Sequence, residues 1–320
     1  MATRPSTEDS PAVELSAVIV AAEHGEPQVL VVRQKSGLDA LPSGPLESGH
    51  RTLETGLRSW VERQTSLSLG YVEQLYTFGD RDRTGVHGEG RRPLSIGYLA
   101  LARELKSGGE SGTAWRSWYH YFPWEDWRGG KPAMLAVVEA QLRRWIGAAT
   151  GAEKRLREER ARFAFGLRGD WSEERTLERY ELLYETGLIP EEQRDRGRTL
   201  AASPVEGVSM FSDHRRMLAT AIGRLRGKIK YRPVVFELMP PTFTFLQLQR
   251  TVEGLSGLRL HKPNFRRIVA SQGLVEETGQ VASETPGRPA RLLRYKRELM
   301  SPALAVRLPV AKTAAGHRQV

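Results

Sequence analysis

The sequence predicts an α/β (α+β) front domain, a helical connector and a C-terminal winged helix-turn-helix, and three observations carry that prediction. β-Branched runs alternate with helix-patterned segments over the first 150 residues. A charged, helix-favouring stretch follows. Last comes a basic segment ordered helix, helix, turn, basic helix, hairpin. At about 100–200 residues per domain, 320 residues suffice for two or three such units.

Charge divides the chain as the pattern does. Residues 1–212 carry 28 basic and 31 acidic side chains, whereas 213–300 carry 17 and 7, and the whole chain is net +10. A near-neutral module joined to a basic one suggests a polyanionic partner for the second. The composition, 39% apolar and 27% charged, is that of a soluble globular protein. No apolar run approaches the roughly 18 residues of a membrane helix. The absence of cysteine excludes disulfide frameworks, thiolate zinc sites and cysteine nucleophiles. The start, with Glu8 and Asp9 in place of a basic n-region, leads to the expectation of a cytoplasmic, nucleoid-associated protein with no signal peptide and no membrane partner.

Each element follows in order. Residues 1–12 read as a flexible tail. The front domain, 13–150, begins with a hairpin of Ala17–Val20 and Val29–Val32 around Gly25-Glu26-Pro27. Leu53 to Thr65 runs without proline and places Leu53, Leu57, Trp60 and Val61 at helical spacing. Val72–Phe78 and Leu94–Leu99 read as further strands. Trp115, Trp118, Tyr119, Tyr121, Phe122, Trp124 and Trp127 crowd one stretch, for which core packing is favoured over a stacked base. Pro132–Ile146 reads as a helix. The connector, 151–212, reads as two charged helices and a flexible joint.

In the basic segment, 213–300, Asp213–Lys230 is the first helix and Pro233 opens a short apolar one. Thr244-Phe245-Leu246-Gln247 fits a capping box, which starts the helix bearing Leu248, Val252 and Leu255. After Gly257, a helix from about Pro263 to Gln272 buries Phe265, Ile268 and Val269 and leaves Lys262, Asn264, Arg266 and Arg267 outward. Leu274–Thr278 and Ala290–Tyr295 are strands about the tip Ser283–Pro289, and 301–320 is a tail. Arginine pairs bidentately with guanine and asparagine with adenine in the major groove. Asn264 is the chain's only asparagine, read equally as a base contact or as a cap. Candidate DNA-binding residues are therefore Lys262, Asn264, Arg266 and Arg267, with Arg288 and Arg291 in the hairpin suited to phosphate or the minor groove.

Leu41 to Leu67 resembles the Nudix box of nucleotide-diphosphate hydrolases, whose pattern is G-x5-E-x7-R-E-U-x-E-E-x-G-U with U bulky and aliphatic. Leu41-Pro42-Ser43-Gly44 stands at its start and Thr65-Ser66-Leu67 at its end. With one extra residue near His50-Arg51-Thr52, the three helix glutamates fall on Trp60, Arg63 and Gln64. Without it, Arg58 keeps its place, Ser59 takes the first glutamate, and Glu62-Arg63 take the pair. Either way the set of hard oxygen ligands that Mg²⁺ needs is broken. The expectation is no metal and no catalytic residue.

Leu75-Tyr76-Thr77-Phe78-Gly79-Asp80 with Arg81, joined to a terminal winged helix containing Asn264-Phe265-Arg266-Arg267 and Gly287-Arg288-Pro289-Ala290-Arg291, is similar to the Nudix-related transcriptional regulators of bacterial NAD metabolism. The long connector is reminiscent of the alphaproteobacterial branch, which represses de novo NAD biosynthesis genes. The resemblance implies a homodimeric repressor on near-palindromic double-stranded operator DNA. It implies an adenine nucleotide effector, ATP or ADP-ribose, and no required cofactor. Phe78, Asp80 and Arg81 match the family motif at the cleft edge, and Arg33, ending a predicted strand, is placed to pair with phosphate. The alternative is a metal-dependent Nudix hydrolase with an accessory basic domain, for which Glu47, Glu54 and Glu62 are the carboxylates nearby. No G-x-S-x-G elbow, phosphate-binding G-x-x-x-x-G-K-[ST] loop or H-E-x-x-H pair supports another chemistry.

Overall fold

The computed structural model describes residues 12–80, 93–105, 112–167, 171–198, 205, 207–282 and 289–296. The expected tails, 1–11 and 301–320, lie outside the described residues, and Ala12 already belongs to a strand. β1 (Ala12–Glu23) and β2 (Glu26–Arg33) form the predicted antiparallel hairpin, with Val20 opposite Val29. β6 (Pro93–Leu101) runs parallel to β1 on its other side, and β5 (Tyr71–Phe78) is antiparallel to β6 at the edge. Three short strands complete the sheet: β3 (Asp39–Ala40) and β7 (Thr113–Ser117) pair with β2, and β4 (Ser43–Pro45) pairs with β1. None of these three was expected, because two to five residues rich in Gly, Pro and polar types carry no readable alternation.

Alternation along β1 fixes the two faces of the sheet. Leu15, Ala17 and Ile19 pack with Leu57 and Val61 of α1 (Leu53–Thr65). Val18 and Val20 face the larger core on the other side. There α2 (Trp118–Tyr121), the 3-10 turn Pro123–Glu125 and α3 (Leu135–Gly147) bring in Trp118, Tyr121, Phe122 and Trp124, all fully buried. The aromatic stretch is core.

The connector holds three helices, α4 (Gly151–Phe165), α5 (Thr176–Glu185) and α6 (Pro190–Asp195). Two were expected. The described part of the joint is fastened: Arg194 donates to the carbonyls of Met210 and Ser212, each at 2.8 Å.

α7 (His214–Tyr231) crosses the sheet, touching β1, β5 and β6, and on its far side meets α8 (Phe245–Ser256) and the 3-10 turn Val234–Leu238. That turn replaces the short helix read after Pro233. The capping box starts α8 as expected: Thr244 Oγ1 accepts from the Gln247 amide at 3.2 Å, and the Thr244 amide donates to Gln247 Oε1 at 2.7 Å. Gly257, at φ 74°, ends the helix in the left-handed region that glycine tolerates. α9 (Lys262–Ser271) and the hairpin β8 (Val275–Ala282) and β9 (Ala290–Tyr295) follow. One apolar cluster runs without interruption from Val18 and Leu99 through Leu218 and Leu225 to Leu248 and Phe265. Sheet, connector and winged helix share a core.

Candidate functional site

α9 buries Phe265 and Val269 against the winged-helix core and exposes Lys262, Asn264, Arg266 and Arg267. Pro263 sits in its first turn, where a missing N–H costs nothing. The N-cap is His261 and it makes no side-chain cap bond, so Asn264 does not cap the helix. Instead Asn264 Oδ1 accepts from Arg267 Nη2 at 2.9 Å, one turn along. Arg266 lies 5.7 Å from the Phe245 ring centroid, which steadies its guanidinium on the helix surface. Of the two hairpin arginines, Arg288 lies outside the described residues and Arg291 is held bidentately by Glu277 at 2.7 and 2.8 Å.

On α1, burial decides between the two registers of the box. With the extra residue, the aliphatic positions fall on Val61 and Leu67, both buried, and the glycine position falls on Ser66, which adopts φ 56°. The family's glutamate positions therefore hold Trp60, Arg63 and Gln64. Each has other work. Trp60 lies across Gly44, where a Cβ would overlap the indole, and its Nε1 donates to the Pro45 carbonyl at 2.8 Å. Gln64 clasps the Ser43 backbone from both sides, donating to its carbonyl at 2.8 Å and accepting from its amide at 3.2 Å. The Arg63 guanidinium stacks 3.9 Å from the indole centroid. These groups supply one neutral amide oxygen, already bonded, and a fixed cation. They do not fit Mg²⁺, which wants charged oxygens. Among the described residues no group of three or more His, Asp or Glu side chains is placed to hold a metal ion.

The candidate effector residues share one rim of the sheet. β2 and β5 run in the same direction, so Arg33 and Phe78 end at the same edge. They are not on neighbouring strands: near this rim β2 pairs with β3, whereas β1 pairs with β4 and β6, and β5 lies beyond β6. The N-terminal part of α7 bridges that gap. Arg33 Nη1 donates to Asp39 Oδ1 at 2.8 Å, and the Tyr121 hydroxyl donates to Asp39 Oδ2 at 2.7 Å. Burial would raise the Asp39 carboxyl, but these donors hold it below its usual value. At the β5 end Arg216 of α7 pairs with Asp80, with Asp213 at 3.2 Å and with Glu181 at 2.5 Å, and lies 5.5 Å from the Phe78 ring. His214 Nδ1 accepts from the Leu41 amide at 2.9 Å. Burial, with the Arg194 charge nearby, pushes that imidazole down to about 4 and keeps it neutral. Arg81 lies outside the described residues. Sequence reasoning missed Asp39, Tyr121, His214 and Arg216, whose partners are remote along the chain.

Farther along α7, away from the rim, is a buried ionic knot. Glu125, Arg179 and Arg226 are each fully enclosed. Arg179 donates to Glu125 through Nε at 2.5 Å and Nη2 at 2.7 Å, and Arg226 Nη1 donates to the same carboxylate at 2.5 Å. Burial alone would raise the Glu125 carboxyl; the two guanidiniums hold it below the usual carboxylate range. Arg226 Nε also donates to the Leu255 carbonyl of α8 at 2.9 Å, and the Tyr119 hydroxyl donates to that of Gly254 at 2.6 Å. The knot thus ties the front domain, α5, α7 and α8 to one another.

Comparison with known proteins bears on both halves. Residues 235–295 match the family model described as the NrtR DNA-binding winged helix domain. The ADPR responsive transcriptional repressor NtrR of Acinetobacter baylyi is 43% identical over 84 residues, 26% of this chain and 33% of the relative. The chain thus matches about a third of that relative's length. The crystal structure of Shewanella oneidensis NrtR complexed with a 27mer DNA superposes with a TM-score of 0.54 at 18% identity, covering 89% of this chain and 93% of that one. A MutT/nudix family protein from Enterococcus faecalis superposes at 0.52 with 13% identity, covering 92% and 90%. At these identities the superpositions speak to the fold. Residues 235–295 thus match an NrtR-type winged helix, and the chain shares its overall fold with Shewanella oneidensis NrtR.

Proposed function

We propose that the chain is a DNA-binding transcriptional repressor of NAD biosynthesis genes whose Nudix-like domain senses an adenine nucleotide without hydrolysing it. The observation that carries the reading is the pairing of a matched winged helix, whose basic helix α9 stands exposed, with a box helix whose glutamate positions hold Trp60, Arg63 and Gln64. The basic face supports sequence readout by Asn264 and Arg267, and general phosphate attraction by Lys262, Arg266 and the hairpin arginines. A homodimer would set two such helices about 34–36 Å apart on a near-palindromic operator. ADP-ribose is the first effector to test, because the Acinetobacter relative is ADPR responsive, and ATP is the second.

The rim supports the sensing role. An anionic effector near Phe78 and Asp80 competes with Asp80 for Arg216, and Arg216 sits on the helix that reaches α8. Binding there biases the placement of α7 and hence of α9, with coupling of about 1–3 kcal/mol expected for such linkage.

The test is a gel shift on DNA from upstream of the protein's own coding region, with and without ADP-ribose, ATP and NAD. A retarded band that weakens steeply with added salt and responds to one nucleotide is expected. No binding at low salt overturns the reading. Robust turnover of ADP-ribose or a dinucleotide with Mg²⁺ overturns the non-catalytic part and favours the hydrolase.

A further inference from the structure

The β1–β2 turn belongs to the sheet domain, yet it is wedged against the winged helix. At Gly25 φ is 87° and an added Cβ would meet the Arg250 Cβ at 2.6 Å, so glycine lets the turn sit this close to α8. Beside the contact lies a notch of about 440 Å³ with residues of both modules on its walls, His24, Glu26 and Arg128 from one, Arg250, Glu253 and Arg259 from the other. Arg259 stands two residues ahead of His261, the N-cap of α9, so the notch borders the N-terminal end of the basic helix.

The carboxylates of the notch are engaged within the chain. Arg128 holds both oxygens of Glu26, at 2.5 and 3.0 Å, and both of Asp126, each at 2.8 Å. Glu253 is 4% exposed and accepts from the Leu260 amide and from Gln249 Nε2, both at 2.9 Å, and from Arg259 Nη1 at 3.2 Å. Arg250, by contrast, is exposed and has no acceptor among the described residues. Arg259 keeps 70% of its side chain in solvent, and His24 is exposed at the turn. No acidic residue occurs between Glu253 and Glu276, a stretch that holds Arg259, Lys262, Arg266 and Arg267. The field at the mouth of the notch is therefore positive on the side that meets α9.

We infer that the notch takes a backbone phosphate of the DNA that α9 reads, so that the sheet domain is itself part of the DNA interface. The inference rests on the DNA-binding reading and extends it beyond the winged helix. A helix whose N-terminal residues reach bases has a phosphate chain on either side, because the major groove is only about 12 Å wide. A cavity bordering that N-terminus thus stands at the groove wall. Arg250 and the outer edge of Arg259 present N–H donors suited to phosphate oxygens, and the His24 ring adds another. Such a contact sets the register of α9 on the duplex and carries no sequence information of its own.

The absence of cysteine allows a direct test on the full-length protein, with a single introduced cysteine carrying tethered iron–EDTA. On DNA from upstream of the protein's own coding region, the His24→Cys conjugate is expected to cut the backbone close to where the Lys262→Cys conjugate cuts. Leu46→Cys is expected to leave the DNA whole, since Leu46 pairs with Val13 at the opposite end of β1, about 33 Å from Glu23 at ordinary strand rise. Arg250→Ala is expected to weaken binding to operator and random DNA alike, by roughly 3- to 10-fold, and to lower the salt slope by about 0.9. Cutting from residue 262 but not from residue 24 overturns the inference and leaves the repressor reading intact. Unchanged affinity and salt slope in Arg250→Ala, or equal cutting from residues 24 and 46, overturns it as well. Failure of the parent to bind duplex DNA removes the repressor reading and the inference together.

Discussion

Glu125→Gln is the sharpest perturbation available, because glutamine keeps the shape of the side chain while removing its charge and turning one acceptor oxygen into an N–H donor. In the folded protein that carboxylate receives three short arginine bonds, two from Arg179 and one from Arg226, and all three side chains are sealed from water. The variant leaves two buried guanidiniums facing a neutral amide. Breaking a buried pair from one side costs about 3–5 kcal/mol, and the mutual repulsion of two orphaned cations pushes towards the upper end. Remaining acceptors pull the other way: Arg226 keeps the Leu255 and Glu173 carbonyls at 2.9 and 3.0 Å, and Arg179 keeps that of Ser172 at 2.8 Å. A loss of about 4 kcal/mol is therefore expected, a large share of the roughly 5–15 kcal/mol that holds most domains folded. Urea titration followed by tryptophan fluorescence reads it directly, since Trp118 and Trp124 are buried in the same core. The charge argument also predicts a pH signature. Because Glu125 is held ionised in the folded state, its contribution is present above the ordinary carboxylate pKa and lost as pH falls below it, and the variant lacks that loss. A cost below about 1 kcal/mol would refute the reasoning, by showing that the carbonyls alone satisfy both arginines.

Other outcomes follow from the same structure. Gly254→Ala puts a Cβ into the Gly25 carbonyl and within 3.2 Å of Pro27, so α8 must shift off the β1–β2 turn; the overpacking cost of about 1–3 kcal/mol should outweigh the helix gain of about 1 kcal/mol and lower the thermal midpoint. His214 is buried neutral with a pKa of about 4, against about 6.5 when unfolded, so it contributes stability that is full above pH 6.5 and declines by about 3 kcal/mol as pH falls to 4. His214→Asn keeps an acceptor for the Leu41 amide, and the difference between its pH–stability curve and the parent's should show that decline. Asn264→Ala or Arg267→Ala is expected to cost about 1–3 kcal/mol in discrimination between operator and random DNA by competition binding. Arg291→Ala should matter less, because Glu277 already neutralises that guanidinium.

How far the sequence could be read depended on whether a signal was local. α1 was expected over Leu53–Thr65 and one strand over Ala290–Tyr295, and both are found at those bounds. Helical spacing and alternation are written in neighbouring residues, and the Thr244 capping box needs only four of them. The box register was open in the sequence because spacing fits two alignments. Burial of Val61 and Leu67 distinguishes them, and burial is a property of the folded chain. The rim and the knot were illegible for a different reason. The His214 bond reaches Leu41 across 173 positions, and Arg226 reaches Glu125 across 101. A lone arginine on a helix carries no mark of its partner. Asp80 was singled out by its motif, but its pairing with Arg216 depends on how α7 lies over the sheet.

The position of α7 limits how the molecule can be taken apart. The matched winged helix starts at residue 235, whereas the helix that steadies it ends at Tyr231 and spends its other side roofing the strands. A cut anywhere between the connector and α8 strips apolar surface from whichever half loses that roof. A winged-helix fragment that keeps these contacts must therefore begin no later than His214.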